Sequence, residues 1–212
     1  MSLVHVVREA AGAPEGALVL LHGRGADQHD LHPLLDVLDP ERRLVGVTPG
    51  APLTGVPGMG GRHWYLVPRV GFPDPQTFHA AREALAGFLD GFLAERGIGW
   101  ERTVLGGFSM GAVMSYTTAL GPGRPSPAAL LAFSGFVPTV EGWAPALDGR
   151  EGLPVLVHHG TQDPVIPVDF ARHAAPLLQG AGLDVTYLES DAGHWLPPEA
   201  VGRASALVGR VV

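Results

Sequence analysis

The sequence predicts an α/β fold, a mostly parallel sheet carrying helices on both faces, and three observations predict it. Short apolar, β-branched runs recur along the chain, helical stretches alternate with them, and one such run delivers a serine flanked by glycines into a following helix. Continuous apolar runs of this length fit strands buried on both faces, and their alternation with helices is the rhythm of repeated βαβ units.

The first segment, 1–9, reads as a strand, since it lacks the cationic start, sustained apolar stretch and small-residue cleavage site of a leader. Further strands are expected at 17–21, 44–47, 103–105, 129–133, 154–157 and 185–188, runs too short and too rich in β-formers for helices. Helices are expected at 30–38, 76–96, 111–120, 168–179 and 199–208, the third stopping at the breaker Gly121-Pro122. The stretch 49–75 has neither period, is dense in Gly and Pro, and carries His63, Trp64, Tyr65 and Phe72. A loop of that length in a compact domain is usually functional. Between the strand ending near Phe133 and the one starting near Pro154 lie only about 20 residues, too few for an independently folded lid. The expectation is therefore one domain over 1–212, with no lid domain and an open site.

A chain of 212 residues can bury a full core without disulfides or metals. Its formal net charge of −7 argues against a general affinity for nucleic acid or anionic membranes, both of which need a basic face. No apolar run approaches the ~20 residues of a membrane helix, so membrane insertion is not expected. The absence of cysteine excludes disulfides and a thiolate nucleophile and suits a cytoplasmic protein.

Gly107-Phe108-Ser109-Met110-Gly111 places the serine where a strand ends and a helix begins. A serine delivered through so tight a turn takes strained backbone angles, and side chains two positions to either side would collide with the neighbouring strand and helix. With 30 glycines in the chain the pentapeptide alone is weak; the flanking strand and helix carry it.

A serine hydroxyl needs a base within hydrogen-bond reach, itself oriented by an acid. In such sheets these groups stand on loops at the carboxyl ends of strands. Asp163 meets that condition, directly after the apolar run 155–157, whereas Asp169 falls in a first helical turn and Asp184 at the start of a strand. His194 meets it after the last strand; His173 sits mid-helix, and His158 and His159 suit packing or loop hydrogen bonding. The order Ser109, Asp163, His194 is the one expected of an α/β-hydrolase. Acyl transfer also needs donors for a developing oxyanion. The N–H of Met110, next to the serine, and that of Arg24, in the Gly-flanked turn His22-Gly23-Arg24-Gly25 after an early strand, are the candidates.

With these segments in order, nearly the whole chain resembles the phospholipase/carboxylesterase family of α/β-hydrolases, small lidless esterases that include acyl-protein thioesterases and bacterial carboxylesterases. Leu21-His22-Gly23-Arg24-Gly25 looks like its oxyanion segment, Gly107 to Gly111 like its nucleophile motif, and Phe133-Ser134-Gly135-Phe136-Val137-Pro138 like its following strand. The stretch from His159 to Pro167 and Gly193-His194-Trp195 resemble its acid and base segments. The resemblance implies cofactor-free hydrolysis of a small-molecule ester or thioester through an acyl-serine intermediate. Arg24 and Met110 depart from the apolar residue and Gln often found in the eukaryotic thioesterases, which favours a bacterial-type esterase.

Trp64, Tyr65, Phe72, Phe136, Trp143 and Trp195 are the aromatic candidates on loops, and Trp64, Phe136 and Trp195 are expected to bind substrate; Phe88 and Phe92, four apart in the long helix, belong to the core. Lactone hydrolysis or peptidase chemistry by the same triad stays open, since a fold does not fix a substrate. A non-catalytic binding module would lack a triad member, and none is missing. His22, His29 and His32 lie close in sequence but not at a zinc spacing, so no metal is expected.

Overall fold

The structure is a computed structural model describing residues 3–58 and 60–212. Seven strands form one sheet: β1 (His5–Arg8), β2 (Gly16–Leu21), β3 (Leu44–Pro49), β4 (Thr103–Phe108), β5 (Ala129–Phe133), β6 (Pro154–Gly160) and β7 (Asp184–Ser190), in the order β1-β3-β2-β4-β5-β6-β7. All neighbours pair in parallel except β1, which runs antiparallel to β3 with His5 opposite Pro49. Five α-helices connect them: α1 (Leu34–Leu38), α2 (Pro75–Glu95), α3 (Met110–Ala119), α4 (Asp169–Gly180) and α5 (Pro198–Val211).

The apolar runs behave as two-sided strands. In β2, Ala17, Val19 and Leu21 join one core beneath α2, α3 and α4, while Leu18 and Leu20 join the other beneath α1 and α5. Alternation with period two inside a wholly apolar run thus feeds both layers at once. Local signals set the helix starts: Asp74 caps α2 by accepting from the Thr77 N–H at 2.9 Å, and Pro75 occupies the first turn, where no N–H is needed.

Two boundaries differ from the sequence reading for stated reasons. The helix expected at 30–38 is confined to Leu34–Leu38, because Pro33 disfavours helical backbone at the residue before it. Strand β6 runs three residues past Val157, through His158 and His159 to Gly160, because β7 continues beside it as far as Ser190. Met1 and Ser2 of the first expected strand lie outside the described residues, and pairing begins at His5.

From β2 the chain steps outward to β3, then returns to the other side of β2 with β4. Crevices form at such a switch point, outside the carboxyl ends of the strands. The turns after β2 and β4, carrying Arg24 and Ser109, flank it. Among the described residues no helix is long and apolar enough to cross a membrane.

Candidate active site

Ser109 has φ 56° and ψ −120°, backbone angles that L-residues adopt only when their surroundings enforce them. Its N–H donates to Phe133 O at 2.8 Å, pinning the turn to β5. A Cβ at Gly107 would strike the backbone of Gly111, and one at Gly111 would strike the Leu21 carbonyl. Both flanking glycines are therefore steric requirements of the elbow.

The Ser109 hydroxyl donates to His194 Nε2 at 2.9 Å, and His194 Nδ1–H donates to Asp163 Oδ2 at 2.6 Å. His194 sits on the loop after β7, 17% exposed at its side chain, with Phe108 tilted against the ring at 4.8 Å. Asp163 sits on the loop after β6, its side chain sealed from solvent. Burial pushes its pKa up, but donation from His194 and from the Ile166 and Val165 N–H groups outweighs that and holds the carboxyl below its ordinary value. The group that orients the imidazole is thus kept ionised.

A second histidine, absent from the expected triad, approaches the same carboxylate. His159 Nε2–H donates to Ile166 O at 2.8 Å and lies 3.3 Å from Asp163 Oδ2, with both side chains fully buried. Burial depresses its pKa, so it stays neutral. On the other face of β6, His158 pairs with the Ser190 hydroxyl at 2.9 Å, and its own burial, aided by His159, lowers its pKa to about 4. Packing and hydrogen bonding, as expected for these two, describe them both.

The turn after β2 is strapped in place. His22 Nδ1–H donates to Gly23 O at 2.7 Å while its Nε2 accepts from the Ala51 N–H at 3.0 Å, so burial leaves a neutral ring with both nitrogens occupied. That ring is not free to join His29 and His32 around a metal. Gly25 and Ala26 exchange backbone bonds with Arg62, each at 2.9 Å. A Cβ added to Gly23 would stand 3.5 Å from Ser109 Cβ, which places this turn against the elbow. Among the described residues, no group accepts from the N–H of Arg24 or of Met110, the latter in the unpaired first turn of α3.

An open cleft leads to Ser109. Val67, Val70, Phe136, Val165 and Ile166 make its walls apolar, and Arg24, Tyr65 and Met110 complete it. Phe136 lines the cleft; one other aromatic expectation is corrected. Trp64 is fully buried, donating Nε1–H to His22 O at 3.0 Å with its N–H against Met110 Sδ at 3.2 Å, so it ties the turn after β2 to α3 and does not reach the cleft. Trp195, next to His194, is 52% exposed. Tyr65 occupies the place expected of Trp64. Both rings are buried in the same core, and of the two only Tyr65 lines the cleft.

A parallel sheet with a switch point, a strained serine elbow and an acid and imidazole on the later strand ends define an α/β-hydrolase. Residues 3–207 match the profile of the phospholipase/carboxylesterase family, and the chain belongs to that family. Acyl-protein thioesterase 1 of Debaryomyces hansenii is 28% identical over 199 residues, covering 85% of this chain and 84% of that protein. Among solved structures, esterase PE8 aligns with a TM-score of 0.84 and 30% identity over 100% of both chains. The Bacillus cereus carboxylesterase shares the fold, with a TM-score of 0.82 and 22% identity over 99% of this chain and 95% of that one. Membership makes the protein a hydrolase of the esterase and thioesterase type.

Proposed function

We propose that the protein, as a single domain over 1–212, is a serine esterase that hydrolyses small-molecule carboxylic esters, and by the same chemistry thioesters, through an acyl-serine intermediate. The observation that carries this reading is the unbroken relay from Ser109 through His194 to a buried, ionised Asp163 at an open cleft. His194 takes the hydroxyl proton as Ser109 Oγ attacks the scissile carbonyl, and Asp163 steadies the imidazolium that forms. The tetrahedral oxyanion is received by the N–H groups of Met110 and Arg24, at the positive end of α3. His194 returns the proton to the leaving alcohol or thiol, then activates water to release the acid. Phe136 and the valines of the cleft hold the apolar part of the substrate.

The thioester arm draws on the relative named as an acyl-protein thioesterase; Arg24 and Met110 favour small-molecule esters as the main substrates. The test joins covalent labelling to kinetics. A fluorophosphonate probe should label Ser109, and Ser109→Ala should abolish labelling and lower kcat on 4-nitrophenyl esters by about 10³-fold or more. Retention of a tenth of the activity in pure Ser109→Ala protein would sink the assignment.

A further inference from the structure

Two polar side chains in the cleft have no work in the hydrolytic cycle. Arg24 offers its backbone N–H to the oxyanion, yet the residue, exposed and carrying a guanidinium, also lines the cleft beside Ser109. None of the ion pairs or side-chain hydrogen bonds among the described residues involves that guanidinium. The contrast with Arg8 is instructive: Arg8, buried at the sheet edge, meets Asp39 Oδ2 at 2.6 Å and the carbonyls of Leu35 and Leu44, each at 2.7 Å. Of the other arginines near the cleft, Arg62 donates to Ala51 O at 2.9 Å and Arg69 stacks on Phe72 with its guanidinium carbon 3.7 Å from the ring centre.

Tyr65 is the second. Its ring is buried among Phe78 and the cleft residues, and no protein group among those described accepts from or donates to its hydroxyl. Burial drives the phenol pKa upward and the charge of Arg24 pulls against that, so the two groups are within electrostatic reach of each other. The phenol stays protonated and is a donor.

Resting on the esterase reading, we infer that the cleft selects esters that carry a carboxylate, bound by the Arg24 guanidinium and the Tyr65 hydroxyl beside Ser109. A purely aliphatic substrate would cover both donors without giving either an acceptor, a desolvation penalty that works against binding. A carboxylate satisfies both. A guanidinium presents paired N–H groups matched to its two oxygens, and the apolar walls of Val67, Val70 and Phe136 offer no competing donor or acceptor. The chain's net charge of −7 would otherwise repel such substrates, so the selectivity must be local.

The test compares matched pairs. Mono-4-nitrophenyl adipate against 4-nitrophenyl hexanoate places the carboxylate on the acyl side, and 4-(butyryloxy)benzoate against phenyl butyrate places it on the alcohol side. In at least one pair the wild-type kcat/KM should favour the anion. That ratio should fall by about 10- to 100-fold in Arg24→Leu, as for a lost charged hydrogen bond, and by less in Tyr65→Phe. Both esters of a pair share the oxyanion turn, so any disturbance of it cancels in the ratio. In the wild type, added NaCl should depress turnover of the anionic ester selectively, a readout that needs no variant to fold. Preference for the neutral member of both pairs, or ratios unmoved in Arg24→Leu, would overturn the inference while leaving the esterase reading intact. Hydrolysis of both members surviving in Ser109→Ala would instead overturn the esterase reading itself.

Discussion

His194 and His159 bring a ring nitrogen to the same oxygen of Asp163, at 2.6 and 3.3 Å, from opposite situations in the fold. His194 stands on a loop at the lip of the cleft, with its second nitrogen on the Ser109 hydroxyl. His159 lies within β6, sealed from solvent, its Nε2–H shared with the Ile166 carbonyl and its Nδ1 without a partner among the described residues. In the proposed cycle a proton passes from Ser109 to the first ring, whose other N–H stays on Asp163. Through the second it has nowhere to go. The comparison teaches that residue type and distance to the acid do not define a general base; the group on the far nitrogen does.

The largest expected effect breaks the His194 side. His194→Ala should lower kcat/KM on neutral esters by about 10³-fold or more, and adding Ser109→Ala should cost little further because the pair acts as a unit. Multiplicative losses in the double variant would argue against a shared mechanism. Thermal unfolding of His194→Ala should move to lower temperature, since the sealed Asp163 carboxylate loses its 2.6 Å donor.

Next in size is the acid sensitivity of the buried imidazoles. The His158 pKa falls from 6.5 to about 4 on folding, so the unfolded chain binds its proton first as pH drops. Stability is therefore full above pH ~6.5, is lost as pH falls toward ~4, and levels off below, the His158 share amounting to about 3 kcal/mol. His159, depressed in the same direction, steepens the loss. Urea unfolding at pH 7 and pH 5 measures it, and His158→Gln should flatten the slope; an unchanged slope would show that His158 is protonated in the native protein.

The smallest effect sharpens the comparison on the His159 side. His159→Phe leaves the Ile166 carbonyl without its donor and takes one N–H from beside Asp163, costing about 1–3 kcal/mol of stability. His159→Gln, which keeps an N–H donor, should recover part of it. In both variants kcat should fall far less than in His194→Ala. A loss of kcat equal to that of His194→Ala, in protein still folded by circular dichroism, would erase the distinction between the two rings.

How far the site was legible depended on how local its causes are. Ser109, Asp163 and His194 each follow a short apolar run and stand within two residues of Gly or Pro, so strand ends and turns announced them. The glycines at 107 and 111 were readable because the steric demand of the elbow reaches only two residues away. His159 was not readable as a neighbour of Asp163. Its approach depends on β6 running on beside β7 and on Ile166 returning its carbonyl to the ring.

By itself, then, the sequence determined the alternation of strands and helices, the two-faced burial of β2 to β6, and which serine, carboxylate and imidazole would meet in one hydrogen-bonded chain, because periodicity and turn chemistry act over a few residues. Only the tertiary structure decided that Tyr65 and not Trp64 lines the cleft, and that Arg24 reaches it without an ion pair while Arg8 is buried against Asp39. Those outcomes are set by which distant segment packs against each side chain. Loop backbones carry no periodicity from which that packing could be read.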